Sequence, residues 1–219
     1  MCVTSVSNNY DKCCSGTRNL KLFLELKLEI KCIETYWIAV YKYNLTKLWW
    51  YMGKIILYIA SSLDGYIARE NGDVDWLPIN TDSGYDNFYK SIDTVIMGKK
   101  TYDQILTFGD YPYKGKKSYV FTRNDSLTKD ENVEFASNVE EFSRNLVSSK
   151  GNIWLVGGSE LFSAFLEHKL VDEIILSIIP TVLGKGIPLF QNINQETNLK
   201  LIKTTEYSGL AELTYKVLK

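Results

Sequence analysis

Four short stretches of this sequence bring small residues and cations to places where an apolar run ends. They are Ser61-Ser62-Leu63-Asp64-Gly65, Gly98-Lys99-Lys100-Thr101, Thr122-Arg123-Asn124 and Gly157-Gly158-Ser159. In the last of these one glycine would be enough for a turn. The second also removes the Cβ that would keep a ligand away from the backbone N–H groups of a helix start. Small residues at helix starts, joined by Lys or Arg, are the combination that a pyrophosphate and an extra ribose phosphate require. An anion or dinucleotide seat is one reading. The other is a set of tight turns without a ligand, with Lys99, Lys100 and Arg123 as plain solvated charge.

Other chemistries are poorly supplied. The only histidine is His168, and the four cysteines (Cys2, Cys13, Cys14 and Cys32) fall in the first 32 residues. A zinc deaminase site cannot be assembled from that set, and no metal site is expected. A Ser-His-Asp hydrolase would have to use a histidine placed late on an amphipathic helix, where a positive end suits the helix dipole instead. The formal net charge of −1 provides no basic field for nucleic acid or an anionic membrane, so neither partner is expected. Any anionic ligand must be met by local cations.

The elements that must hold these turns alternate. Ile55 to Ala60 (IILYIA), Thr94 to Gly98 (TVIMG), Ser118 to Thr122 (SYVFT) and Ile153 to Val156 (IWLV) are short apolar runs of the kind buried in a parallel sheet. Residues 83–91, the stretch opening KKTYDQIL, Val139 to Ser149, and the segment with Leu161, Phe162, Phe165 and Leu166 at helical spacing read as helices. The order predicts a mostly parallel α/β sheet with right-handed crossovers. Glu173 to Pro180 and the closing EYSGLAELTYKVLK, with Gly209 at a turn, predict an antiparallel finish. The hydrophobic fraction of 45% and charged fraction of 23% suit one globular body of this kind.

The first 51 residues differ. NLKLFLELKLEIKCI alternates apolar and charged residues, the following segment is rich in aromatics, and no apolar stretch reaches a membrane-spanning length. Met52 directly precedes the first apolar strand. That position suggests a natural start there, with residues 1–51 as upstream sequence; an additional hairpin or surface arm is the competing expectation.

VIMGKKTYDQI, YVFTRN, WLVGGSELF and IIPTVLGKGIPLF, in this order after ASSLDGYIA, resemble the dihydrofolate reductase-like superfamily. The nearest branch is that of the reductase domain of the bifunctional riboflavin-biosynthesis deaminase-reductase. The resemblance covers Met52 to Lys219 and implies a three-layer fold with an antiparallel C-terminal hairpin. It also implies a cytoplasmic, NADPH-dependent reductase, usually a homodimer, that transfers hydride to a pyrimidine- or pterin-like heterocycle. Its formal substrate is the ribosylaminouracil intermediate of the riboflavin pathway. Dihydrofolate reduction and a non-catalytic nucleotide-binding module are the alternatives.

On matching positions the resemblance assigns Gly98, Lys99, Lys100 and Thr101 to the pyrophosphate and adenosine side, and Thr122 and Arg123 to the 2′-phosphate. Gly157, Gly158, Ser159, Glu160 and Leu161 fall to the phosphates and nicotinamide side. Ala60 and Ile67 flank a loop over the nicotinamide. The expected proton partner is Asp86, with Asp82 as the other possibility. Asp64 reads as an Asx-turn residue or a substrate contact, and Trp76 as a wall of the substrate pocket or a loop aromatic.

Overall fold

A computed structural model describes residues 53–78, 84–124, 126, 130–146, 151–207 and 209–219; the appended segment, the Met52 start and Asp82 lie outside them. The elements run β1 (Ile55–Ser62), β2 (Tyr66–Ala68), α1 (Tyr85–Lys90), β3 (Ile92–Gly98), α2 (Lys99–Thr107), β4 (Lys117–Phe121) and β5 (Glu134–Ala136). They continue with α3 (Val139–Leu146), β6 (Asn152–Gly157), α4 (Ser159–Glu167), β7 (Glu173–Ile179), β8 (Ile187–Pro188), β9 (Leu199–Tyr207) and β10 (Leu210–Val217).

Eight strands form one sheet in the order β5-β4-β3-β6-β1-β7-β10-β9, and β2 pairs with β8 apart from it. From β5 to β7 every pairing is parallel, whereas β10 is antiparallel to both β7 and β9. The expected mostly parallel sheet with an antiparallel finish is what forms. β1 and β3 read as near-continuous apolar runs because both of their faces are covered. On one face Leu161, Phe162, Phe165 and Leu166 of α4 and Phe142 of α3 pack over Leu57, Ile96 and Leu155. On the other, Tyr102 of α2 and Phe88 and Tyr89 of α1 pack with Ile56, Val95, Met97 and Trp154. The result is three layers. His168 ends α4 with Nδ1 2.8 Å from the Ala164 carbonyl oxygen, at the helix C-terminus where the sequence places it.

Two features of the sheet shape the site. β1 pairs with β6 only from Ile55–Ile153 to Leu57–Leu155, but stays with β7 as far as Ser62–Ile179. On the other side of β6, Ile96 faces Leu155 and Met97 faces Gly157, so Val156 is an extra residue that bends the strand. The carboxyl half of β1 therefore parts from β6. Their onward connections also lead in opposite directions, β1 to β3 and β6 to β7, so the gap is a switch point of the kind where ligands bind in open sheets.

Candidate active site

α2 and α4 start side by side at the carboxyl edge of β3 and β6. A Cβ placed on Gly98 would stand 3.8 Å from the Gly158 nitrogen, and one on Gly158 would meet only Thr101 Oγ1, at 3.6 Å. Gly157 has φ +129°, a region that side chains rarely adopt, and the Gly157–Gly158 peptide is cis. Neither helix has a side-chain cap at its start, so two sets of helix N–H groups face a strip of bare backbone. This is a cradle that side chains would fill, and it suits the phosphates of a dinucleotide.

Beside it lies a cleft of about 320 Å³ lined by Tyr58, Ala60, Trp154, Ser177, Tyr85 and Leu77, with further apolar residues around them. That volume fits a small flat ligand. Its walls are aromatic: Tyr58 and Tyr85 stack at 6.3 Å and 24°, and Trp154 meets Tyr85 and Phe88 edge-on at 5.8 and 5.4 Å. Where β1 leaves β6, the Trp154 indole N–H donates to the Tyr58 carbonyl at 3.0 Å, which fixes the ring at the floor. Burial, with smaller contributions from Tyr89 and Asp86, pushes the Tyr85 phenol up to about 12, so it stays neutral at ordinary pH. Tyr58, Tyr85 and Ser177 supply the hydroxyls among the lining residues.

The residues singled out in the sequence separate into groups. Gly98, Thr101, Gly157 and Gly158 come together, and Ala60 lines the cleft. Arg123, just beyond β4, reaches Glu160 of α4 with N–O 3.0 Å; this exposed pair is held weakly and is free to exchange partners. Thr122 Oγ1 accepts the Asn124 N–H, Lys99 pairs with Asp103 one turn on, and Lys100 is exposed. The buried Ser159 hydroxyl accepts from the Gln191 side chain, while Leu161 and Ile67 pack into or against the α4-side core.

Asp86 is exposed on α1 and does not line the cleft. That helix has six residues and turns Phe88 and Tyr89 toward the sheet, which leaves Asp86 facing outward. Trp76 is half-buried with its indole N–H unpaired among the described residues, and its neighbours Leu77 and Pro78 reach the cleft instead. The residues that sequence reasoning missed are Tyr58, Tyr85, Trp154 and Ser177. A period-2 count back from Ala60 would have put Tyr58 on the same face; Ser177 depends on a strand register that no local pattern reveals. Among the described residues, no cluster of three or more His, Cys, Asp or Glu could hold a metal ion, and no helix is long and apolar enough to cross a membrane.

Asp64 is a clasp at the rim. Its carboxylate accepts the Ser62 hydroxyl at 2.6 Å and the backbone N–H groups of Leu183 and Gly184 at 3.1 and 2.7 Å, tying the turn after β1 to the loop after β7. The Ser62 bond, followed by the two N–H groups, holds this carboxyl below its usual value against the opposing effect of burial. A depressed carboxyl stabilises the fold above the ordinary carboxyl range and loses that contribution as pH falls through the depressed value. Asp64→Asn is therefore expected to melt lower than the parent at neutral pH, with the gap closing below about pH 4. Melting curves across a pH series check it; a gap independent of pH would show that the charge is not what the clasp uses.

A sheet of this order, covered by helices on both faces and carrying a glycine cradle beside a cleft, is the architecture of the dihydrofolate reductase-like superfamily. The comparisons agree. The family model described as the RibD C-terminal domain matches residues 113–210. The uncharacterized protein YwjB of Bacillus subtilis (strain 168) is 42% identical over 168 residues, covering 74% of this chain and 97% of that one. YyaP of the same organism is 36% identical over 176 residues, covering 74% and 94%. A protein ascribed to riboflavin biosynthesis from Shewanella sp. PV-4 superposes with TM-score 0.68 at 28% identity, over 76% of this chain and 99% of that one. The dihydrofolate reductase of Enterococcus faecalis, solved with NADP(H), superposes with TM-score 0.60 at 20% identity, over 77% and 99%, a likeness of fold. The chain belongs, with YwjB and YyaP, to the branch of the dihydrofolate reductase-like superfamily that resembles the RibD C-terminal domain.

Proposed function

We propose that this chain is an NADPH-dependent reductase acting on a pyrimidine- or pterin-like heterocycle, with residues 52–219 as the reductase body and 1–51 as an appendage. The observation that carries the reading is the meeting of two uncapped helix starts at Gly98 and Gly158, next to an aromatic cleft. A bound reduced nicotinamide dinucleotide supplies hydride. The chain's own part is to bind and orient. The N–H groups at the starts of α2 and α4 take the pyrophosphate, and Arg123, released from Glu160, takes the ribose phosphate that separates NADPH from NADH. Tyr85 and Trp154 hold a flat ring and exclude water around it.

The test is a fluorescence titration with NADPH and with NADH, followed by a screen of 5-amino-6-(5-phosphoribosylamino)uracil, dihydrofolate and related rings as acceptors. NADPH should bind at least about tenfold more tightly than NADH, the worth of one charge-assisted contact. Failure to bind either dinucleotide would overturn the reading. Preference for dihydrofolate over the uracil would move the chain to the folate side of the superfamily.

A further inference from the structure

Behind the cleft floor lies a buried acid that the cradle does not use. Glu212 on β10 is 8% exposed, and its carboxylate accepts the Tyr58 hydroxyl at 3.1 Å. In the sheet Ala60 faces Ser177 and Ser177 faces Glu212. Directly paired residues share a face, so the carboxyl stands in one row with the cleft's polar wall.

Among the described residues, the groups that act on the carboxyl come from the neighbouring strands. Tyr58 approaches from β1 and Ser177 from β7, and Lys203 on β9 is the cation that acts on it. From α1, Tyr85 stacks on Tyr58 and Tyr89 on Tyr85, while Asp86 faces outward. Burial raises the Glu212 carboxyl above its usual value, and the Tyr58 bond and Lys203 offset part of that. Its protonated form therefore persists to higher pH than in an exposed glutamate.

The two forms present different groups to a ligand. An ionised carboxylate only accepts, so the phenol must donate to it and shows the cleft an acceptor oxygen. A protonated carboxyl can donate to the phenol oxygen, so the Tyr58 O–H is no longer bound to point at the carboxyl and can donate into the cleft. We propose that Tyr58 and Glu212 read the edge of the bound heterocycle: Tyr58 touches it, and Glu212, as a positioning residue, sets whether that contact donates or accepts. This rests on the cleft being the heterocycle site of the proposed reductase. A ring edge of carbonyl and imine acceptors is taken by the protonated pair, and its affinity falls as pH rises through the Glu212 carboxyl.

The probe is 1,3-dimethyllumazine, a flat pteridinedione with acceptors and no N–H to donate or lose. Its binding is followed by fluorescence from about pH 4, the ordinary glutamate range, up to about pH 8 for the parent, Glu212→Gln and Tyr58→Phe, with a melting curve on each. The parent should lose up to about tenfold in affinity across that range, the worth of one hydrogen bond. Glu212→Gln should bind with no pH dependence. Tyr58→Phe should bind about tenfold more weakly at the acid end and also without pH dependence. A pH dependence that survives in Glu212→Gln, parent-like binding by Tyr58→Phe, or no probe binding by a protein that binds NADPH would each overturn the proposal. NADPH titrated into the same samples separates the two readings: the expected probe pattern without NADPH binding would sink the reductase and leave the edge reader standing.

Discussion

Trp154→Ala is expected to lower the unfolding free energy by about 3–5 kcal/mol, the usual cost of deleting a buried large aromatic. The indole is 6% exposed, lies edge-on to Phe88, Tyr85 and Tyr113, and holds the Tyr58 carbonyl where β1 leaves β6. Its removal leaves a void between α1 and the sheet and takes the indole donor away from the Tyr58 carbonyl. Trp154→Phe keeps an aromatic ring in place and loses the N–H with part of the indole's volume, so it should cost about 1 kcal/mol for the bond plus a smaller volume term. Urea unfolding of both variants decides, with an unchanged slope as the check that only stability moved. If the alanine variant loses under about 1 kcal/mol, the aromatic wall is not holding the sheet as its contacts indicate.

Gly158→Val is expected to weaken NADPH binding by at least about a hundredfold, equivalent to some 2.7 kcal/mol, while leaving the fold intact. Gly158 is extended, with φ −78° and ψ −168°, which valine adopts without strain, and its would-be Cβ meets only Thr101 Oγ1. The added methyls occupy the cradle and cover the N–H groups at the start of α4. Gly157→Ala provides the contrast. At φ +129° its alanine is strained, so it should cost stability, about 1–3 kcal/mol, whatever it does to binding. Titration and melting of the pair separate a seat from a turn. Unchanged affinity in a folded Gly158→Val protein would take the dinucleotide away from this loop.

What could be read in advance followed from how local each signal is. β1, β3, β6 and β7 announce themselves as apolar runs, and the glycines after β3 and β6 mark helix starts, because burial on both faces and turn chemistry are written in adjacent residues. β2, β5 and β8, of three, three and two residues, escaped because they owe their strand geometry to partners far away in the sequence. β9 begins at Leu199, well before the alternation suggested, and its residues are mostly exposed, so no face imposes a period on it. The cradle was legible for the same reason as the turns. The cleft was not, since Ser177 and Leu210 come to it through strand register, and Leu77 and Tyr85 from the segment after β2 and from α1. Glu212 sits where an alternating strand would turn it to water, and the structure buries it because that face carries the cleft.

The position of β1 in the sheet also bears on the order in which the chain acquires structure. The Lys54 N–H donates to Asn152, 98 residues away, and the Ile55 N–H to Asp172, 117 residues away. The central strand therefore has neither neighbour until most of the chain has been synthesised, and loop closure over such spans is slow. During translation β1 must wait as an exposed apolar segment, a state in which nascent chains are prone to aggregate. Truncation just ahead of Glu173 would remove β7 and β10, which bring Ser177, Ile179 and Leu210 to the cleft, and leave β1 with an open edge.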